Sequence, residues 1–361
     1  MPAAVRVHVI LPGPPETPTG GFAYDRHMLA ALRRDGRLAE AMVIAGDYPF
    51  PAAATLAAAG RRLALLPDGA VVVVDGLALT PLLPAFASHA PRLRLLALVH
   101  HPLADETGLP PVCSDRLFED ERQALALTRG VIVTSRKTAQ RLADFAVPGD
   151  RIRVVRPGVA TPRGGRRHTR SPTPSPTPAP SPVRSLLCVG SLVPRKGQDV
   201  LLRALSRLKH RGWRLRLVGP ARDRAYAGRL HRLTRALRLQ ARVAFEGAVS
   251  EARLERHYRS ADAFIFPSHH EGYGIAVAEA AARGLPIVAS DAGAIAEAVA
   301  GARATLVPPG NPLLLAAALR PLLTRHGPRV RRPAAGSAAT RTWEQAGREF
   351  LAALDQLSAD R

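Results

Sequence analysis

"SLLCVGSLVPRKGQDVLLRALSRLKHRGWRLRLVG", Ser185 to Gly219, decides the fold. An apolar run, "SLLCVGSL", is followed by a short basic turn. A helix-length stretch, "GQDVLLRALSRLKHRG", then repeats apolar residues at three- and four-residue steps, and "WRLRLVG" closes the unit. Strand, turn, helix and strand in this order predict a crossover between parallel strands. The same alternation extends in both directions. Downstream lie "RVAFEG", "AFIFPS", "PIVAS" and "ATLVPPG"; upstream lie "VRVHVIL", "AMVIAG", "AVVVVDG", "LRLLALVHH", "VIVTS" and "RIRVV". Nearly continuous Val, Ile and Leu suit strands covered on both faces. The pattern predicts an α/β protein with two doubly wound sheets.

The chain divides where its composition changes. Residues 161–182, "TPRGGRRHTRSPTPSPTPAPSP", hold seven prolines among Ser, Thr and Arg, and such a stretch cannot bury apolar area. It is expected to be a linker between domains 1–160 and 183–335, with a helical segment over 336–361. Asn311 with Pro312 reads as a helix N-cap and first turn. Thr342-x-x-Gln345 reads as a capping box, ahead of a stripe of Trp343, Phe350, Leu354 and Leu357.

Composition agrees with two cores. A chain of 361 residues, 47% hydrophobic, suits two domains of roughly 150 residues each. The opening "MPAAVRVHVILPG" lacks a cationic n-region and a cleavage site. The longest apolar tract, Leu63 to Pro84, is broken by Asp68 and Asp75. Cys113 and Cys188 make neither a disulfide framework nor a zinc spacing. A cytoplasmic location is expected.

The net charge of +22 invites a nucleic-acid reading, but 48 of the 51 basic residues are arginine, which with the abundant Ala and Pro fits GC-biased codon usage. The distribution says more. Residues 1–160 carry a net of +3 and residues 183–361 a net of +15, so the second half is suited to an anion. Aromatic residues make up 4% of the chain and do not interleave with the arginines, so no base-stacking surface is expected. Seven arginines between Arg222 and Arg242 flank an apolar stripe of Tyr226, Leu230, Leu233 and Leu237. This is expected to be a sheet-covering helix with solvated arginines, capable at most of weak, peripheral electrostatic association with anionic lipid.

Ligands of open parallel sheets gather beyond the carboxyl ends of the strands. After "SLLCVGS", Arg195, Lys196 and Gly197 precede a helix, a natural seat for a diphosphate. After "AFIFP", the stretch "SHHEGYGIAVAEAA" sets Glu271 and Glu279 eight positions apart around Gly272 and Gly274, with a helix beginning near Ile275. Each carboxylate can accept two hydroxyl hydrogen bonds, the grip a vicinal diol needs. Two carboxylates beside a phosphate seat fit a nucleotide sugar. In the first half, Gly20 and Gly21 open a helix, while His100 and His101 end a strand. A histidine there can bind a sugar hydroxyl and accommodate changing charge near a leaving phosphate.

"CVGSLVPRKGQDVLLRALSRL", "LRLVGP", "VAFEGAVSEARLERHYRSADAFIFPSHHEGYGIAVAEAAARGLPIVAS" and "AGAIAEAV" together resemble the consecutive signatures of the family 4 (group 1) glycosyltransferases, in order from about residue 185 to 300. The resemblance implies a GT-B fold, two Rossmann-like domains facing a cleft. It also implies retaining transfer of a sugar from a UDP- or GDP-sugar to a hydroxyl acceptor. The sequence contains no D-x-D, and cations and helix starts meet the diphosphate charge, so no metal or other cofactor is expected. It assigns Lys196 to the donor diphosphate, Glu271 to the donor sugar and Glu279 to the ribose. Gly272, Tyr273, Gly274 and Ile275 would offer backbone amides to phosphate and sugar. Gly20 and Gly21 would lie near the donor phosphate or the acceptor, and His100 or His101 would face the reaction centre. Ser191 stands where many members carry Arg, and Arg195 is expected to replace that charge. The alternatives are a GT-B nucleotide-sugar epimerase or phosphorylase, and a noncatalytic basic binding protein.

Overall fold

The computed structural model describes residues 5–107, 110–160, 184–323 and 341–359, so the linker expected over 161–182 lies outside the described residues. Two compact units emerge. The first comprises the chain up to Gly158, the short segment His270–Gly274 and the chain from Arg341 onward; the second comprises Val159–His269 and Ile275–Thr340.

In the first unit, β1 (Val7–Leu11), β2 (Leu38–Val43), β3 (Val71–Asp75), β4 (Arg94–Val99), β5 (Gly130–Val133) and β6 (Ile152–Val154) form one sheet in the order β2-β1-β3-β4-β5-β6. Every pairing is parallel. The valines of β3 are at most 1% exposed, as the unbroken apolar run requires of a strand covered on both faces. The direction of winding reverses between β1 and β3, which is where such a sheet opens for ligands.

The capping box at Thr342 forms as expected, with Gln345 N–H donating to Thr342 Oγ1 at 3.2 Å and Thr342 N–H donating to Gln345 Oε1 at 2.8 Å. The helix it starts, Trp343–Ser358, buries Phe350, Leu354 and Leu357 in the first unit. Full burial of each such side chain stabilises by about 1.5–3 kcal/mol. Gly130 and Gly347 admit the helix closely, the first against Leu357 and the second against Ala31. Arg37 pairs with Asp355 at 2.8 Å, and Arg94 Nη1 donates to the Ser358 carbonyl at 2.8 Å.

The second unit repeats the plan. Its strands are β7 (Arg184–Val189), β8 (Trp213–Val218), β9 (Val243–Gly247), β10 (Ala263–Phe266), β11 (Ile287–Ser290) and β12 (Ala304–Val307), in the order β12-β11-β10-β7-β8-β9. All are parallel, and the winding reverses between β7 and β10. Asn311 caps its helix as expected, accepting from Leu313 and Leu314 N–H at 3.0 Å each. The helix Arg224–Ala236 buries Tyr226 and Leu230 in the core with Leu233 and Leu237 packed beside them, while Arg229, Arg232 and Arg235 are exposed. It is a sheet-covering helix. Among the described residues no helix is long and apolar enough to cross a membrane.

Candidate functional site

The switch point of the second unit lies between the loops after β7 and β10, and the two loops are stitched together. His269 N–H donates to the Arg195 carbonyl at 2.8 Å. Gly197 sits at φ +63°, and a side chain there would collide with the Pro267 carbonyl. Only glycine meets both conditions. The turn Pro194–Lys196 thereby brings Lys196 onto Gly190 and Phe266, its Nζ 5.2 Å from the aromatic centroid. The helix Gln198–Ser206 starts immediately afterwards. Among its first N–H groups that of Asp199 faces the Tyr226 hydroxyl at 3.3 Å and those of Val200 and Leu201 the Gly197 carbonyl, which leaves the Gln198 N–H beside the lysine turn. Ser191, at the position where many members of the resembled family carry Arg, accepts a 3.0 Å hydrogen bond at its carbonyl from Gln198 Nε2.

Glu279 lies one turn inside the helix Ile275–Ala282 of the same unit and is partly buried. The Tyr258 hydroxyl donates to its Oε2 at 2.9 Å and also lies 3.1 Å from the Ala276 carbonyl. Arg283 stacks over the Tyr258 ring at 4.6 Å, donates to the Glu279 carbonyl at 2.7 Å and pairs with Glu255 at 2.6 Å. Burial pushes the Glu279 carboxyl up, against the pull of the Arg283 charge and the Tyr258 hydrogen bond. Its Oε1 takes no hydrogen bond among the described residues, which leaves that oxygen for a diol.

The first half of the same motif packs with the first unit. Glu271 and Tyr273 are 6% and 4% exposed. Gly272 lies so close to the His100 carbonyl that any side chain would overlap it, and the Thr138 hydroxyl donates to the Gly272 carbonyl at 3.4 Å. Gly274 has φ +92°, turning the chain into the helix at Ile275. Within the first unit, His100, Gly272 and the neighbouring Glu271 are therefore gathered at one place. His270 joins them, its ring 5.8 Å from that of His101, whose Nε2 lies 3.3 Å from Glu106 Oε2.

Gly20 and Gly21 open the helix Gly20–Arg34 behind the Thr19 cap. A side chain on Gly21 would press on the His100 ring at 3.4 Å, so this glycine makes room for the histidine. His100 Nε2 meets Asp25 Oδ1 at 3.1 Å and Asp75 Oδ2 at 3.2 Å. Burial would lower the His100 pKa, but Asp25 and then Asp75 outweigh it and carry it up to about 10. Burial pushes Asp25 up to about 6, with His100 opposing. The loop after β4 is anchored by Glu121, which accepts from Leu103 N–H at 3.0 Å and Ala104 N–H at 3.2 Å. Burial raises Glu121 to about 7 in spite of those bonds.

The sequence reading missed Asp25, Asp75, Glu121 and Tyr258. Asp75 carried a signal, since it ends "VVVVD" at the edge of a buried strand. The other three lie inside helices, where neither spacing nor neighbours separate them from surface or core residues.

Residues 2–163 match the family Glycosyltransferase Family 4, and residues 183–325 match Glycosyl transferases group 1. The D-inositol 3-phosphate glycosyltransferase of Xylanimonas cellulosilytica is 32% identical over 251 residues, covering 67% of this chain and 60% of the relative. The GDP-mannose-dependent alpha-(1-6)-phosphatidylinositol monomannoside mannosyltransferase of Mycolicibacterium smegmatis is 32% identical over 178 residues, covering 47% and 46%. The chain thus spans less than two thirds of the length of these relatives. Among solved structures, Thermosynechococcus elongatus sucrose-phosphate synthase has a TM-score of 0.70 at 20% identity, covering 98% of this chain and 96% of that one. Anabaena HepE in complex with UDP-glucose has a TM-score of 0.72 at 18% identity, covering 97% and 99%. These likenesses show the GT-B fold.

Proposed function

Since the chain belongs to the family 4, group 1 glycosyltransferases, we propose that it transfers a sugar from a UDP- or GDP-sugar to a hydroxyl acceptor with retention at the anomeric carbon. The observation that carries the reading is the second unit's switch point. There a lysine is held at a helix start by glycine-only backbone, and a glutamate keeps one oxygen engaged and one open. An ammonium beside the Gln198 N–H at a helix start suits a diphosphate, and an open carboxylate oxygen suits a ribose hydroxyl. Lys196, with Arg195 in place of the arginine absent at Ser191, would hold the diphosphate, and Glu279 the ribose. Glu271 would receive the donor sugar, with the backbone of Gly272, Tyr273, Gly274 and Ile275 at the sugar and phosphate. Gly20 and Gly21 would lie near the donor phosphate, and His100 or His101 at the reacting sugar.

Retention in this reading is same-face substitution, with the departing phosphate assisting the acceptor's deprotonation. The charge of that phosphate is met by cations and helix N–H groups, without metal or another cofactor. The names of the relatives carry GDP-mannose and that of a solved neighbour carries UDP-glucose, so both nucleotides belong in the test. We place the enzyme in the cytoplasm, in at most salt-sensitive contact with anionic lipid.

The experiment is calorimetry with UDP and GDP, followed by transfer from labelled UDP- and GDP-sugars. Lys196→Ala and Glu279→Gln weaken nucleotide binding, whereas Glu271→Gln spares it and impairs transfer. The one-bond carbon–proton coupling at the product's anomeric centre reads retention. Equal nucleotide affinity in all three variants, or an inverted product, refutes the reading.

A further inference from the structure

We infer that Asp25 and Asp75 are positioning residues that hold His100 as an imidazolium, its Nε2–H donated to both carboxylates, so that the ring offers its ligand the Nδ1–H and not a base. The catalytic consequence rests on the glycosyltransferase reading; the chemistry of the cluster does not. Three elements converge at the first unit's switch point. Asp25 comes from the helix after β1, Asp75 from the end of β3, and His100 follows β4. The two carboxylates are 2% and 4% exposed, and both meet the same ring nitrogen, at 3.1 and 3.2 Å. A lone pair on Nε2 would face two anionic oxygens, whereas an N–H there donates to both. Nε2 therefore carries the proton.

The surroundings hold the arrangement in place. Asp75 Oδ1 accepts the Leu77 N–H at 2.8 Å as a helix cap, which turns Oδ2 towards the ring. Tyr24 meets the imidazole edge-on at 5.4 Å, and Gly21 backs it. The other titratable groups acting on the two carboxylates are Arg26 and Tyr24 on Asp25 and Tyr48 beside Asp75. His100 Nδ1 has no partner among the described residues, and the side chain is 20% exposed. With two carboxylates on Nε2 the favoured state is the imidazolium, and the pKa carried up to about 10 agrees. Such a ring has no basic nitrogen at neutral pH. What it offers is an N–H for a sugar hydroxyl.

The test is long-range proton–nitrogen NMR on protein labelled at histidine nitrogen, with the His100 signals assigned by their loss in His100→Gln. At pH 7.5 the wild type is expected to show both His100 nitrogens protonated. Asp75→Asn keeps a carbonyl for the helix cap but turns an NH2 group on Nε2, and Asp25→Asn removes the closer anion. Each is expected to convert His100 to a neutral tautomer. Each is also expected to lower kcat by about 100-fold or more, the lower end of what a positioned proton donor contributes, with nucleotide Kd unchanged. A neutral His100 in the wild type overturns the inference whether or not the variants fold. So does an unchanged His100 spectrum in both variants, or a loss of nucleotide affinity that parallels the loss of kcat. Manganese titrated into the wild type by calorimetry is expected to give no binding that Asp25→Asn abolishes; such binding means the carboxylates hold a metal and also overturns it. If no donor supports transfer, the function reading fails while the NMR and manganese measurements still decide the cluster.

Discussion

Tyr258→Phe probes the donor site without touching a ligand. The ring packs against Phe264, 5.8 Å between centroids, and under the Arg283 guanidinium at 4.6 Å, and phenylalanine keeps both contacts. What is lost is the hydroxyl that holds Glu279 Oε2 at 2.9 Å. Arg283 does not replace it, because its hydrogen bonds go to the Glu279 carbonyl and to Glu255. Freed, the Glu279 side chain regains rotamers whose re-ordering on binding costs about 1–2 kcal/mol. That is roughly a 5- to 30-fold loss of nucleotide affinity, at 1.4 kcal/mol per decade. The substitution also removes the hydrogen bond that opposes burial, so the Glu279 carboxyl rises further from its ordinary value. Binding that needs the carboxylate then weakens at a higher pH than in the wild type.

The informative assay is calorimetry with UDP or GDP beside the 2′-deoxynucleotide. If Glu279 reads the ribose, the wild type prefers the ribonucleotide, and Tyr258→Phe loses most of that preference while its affinity for the deoxynucleotide barely moves. The fold cost is expected to be about 1 kcal/mol, one hydrogen bond's net contribution, read as a small shift in Tm. A variant that keeps the wild-type discrimination refutes the claim that Tyr258 aims Glu279. A loss of equal size for both nucleotides refutes the assignment of Glu279 to the ribose.

Lys196→Arg is expected to bind nucleotide diphosphates as poorly as Lys196→Ala, about 10- to 100-fold below wild type for one charge-assisted bond, because the lysine stem is fitted to Gly190 and Phe266; calorimetric rescue by arginine counts against this. Gly197→Ala, at φ +63° and against the Pro267 carbonyl, is expected to destabilise the second unit by more than about 1 kcal/mol, measured as a lowered urea midpoint. Glu121, whose pKa rises on folding from 4.5 to about 7, keeps its proton in the folded state between those values, so its contribution to stability falls as pH rises through that window. At 1.36 kcal/mol per unit this is at most ~3 kcal/mol, and urea melts of Glu121→Gln between pH 4.5 and 8 should lack that decline. Sedimentation with anionic vesicles should remove protein at low salt and release it near 0.15 M, where screening acts within about 8 Å; binding that survives raised salt refutes a purely electrostatic role for Arg229, Arg232 and Arg235.

How much the sequence disclosed follows from where each signal is stored. All twelve strands of the described residues were legible: the inner ones because a strand covered on both faces must be an apolar run, the edge strands β2, β6, β9 and β12 because turns break their shorter runs. The caps at Asn311 and Thr342 were legible for the same local reason. Lys196, Glu271 and Glu279 stood out because charge beside glycine at a strand end conflicts with simple packing. The terminal helix was legible as a helix but not as part of the first unit. Its partners, Ala31, Arg37, Arg94 and Gly130, lie more than 200 positions away, and no local pattern encodes that distance.

The site residues that escaped share one property: each acts on another part of the protein, Asp25, Asp75 and Tyr258 on a side chain and Glu121 on the backbone of Leu103 and Ala104. Asp25 and Asp75 mean nothing until the sheet order β1-β3-β4 lays their elements beside His100, and a sequence does not print its sheet order. Tyr258 resembles any core aromatic until its hydroxyl is found on Glu279. Buried carboxylates that raise a histidine, and a buried phenol that aims a carboxylate, are unfavourable to bury alone and acceptable as partners. A misplaced charge in an apolar context is therefore the trace such pairs leave in one dimension. Asp75, closing a run of four valines, left it; Asp25, followed at once by Arg26 on a helix, looked like an ordinary surface pair. The distinction between the two was made by packing, which turned Asp25 inward to 2% exposure.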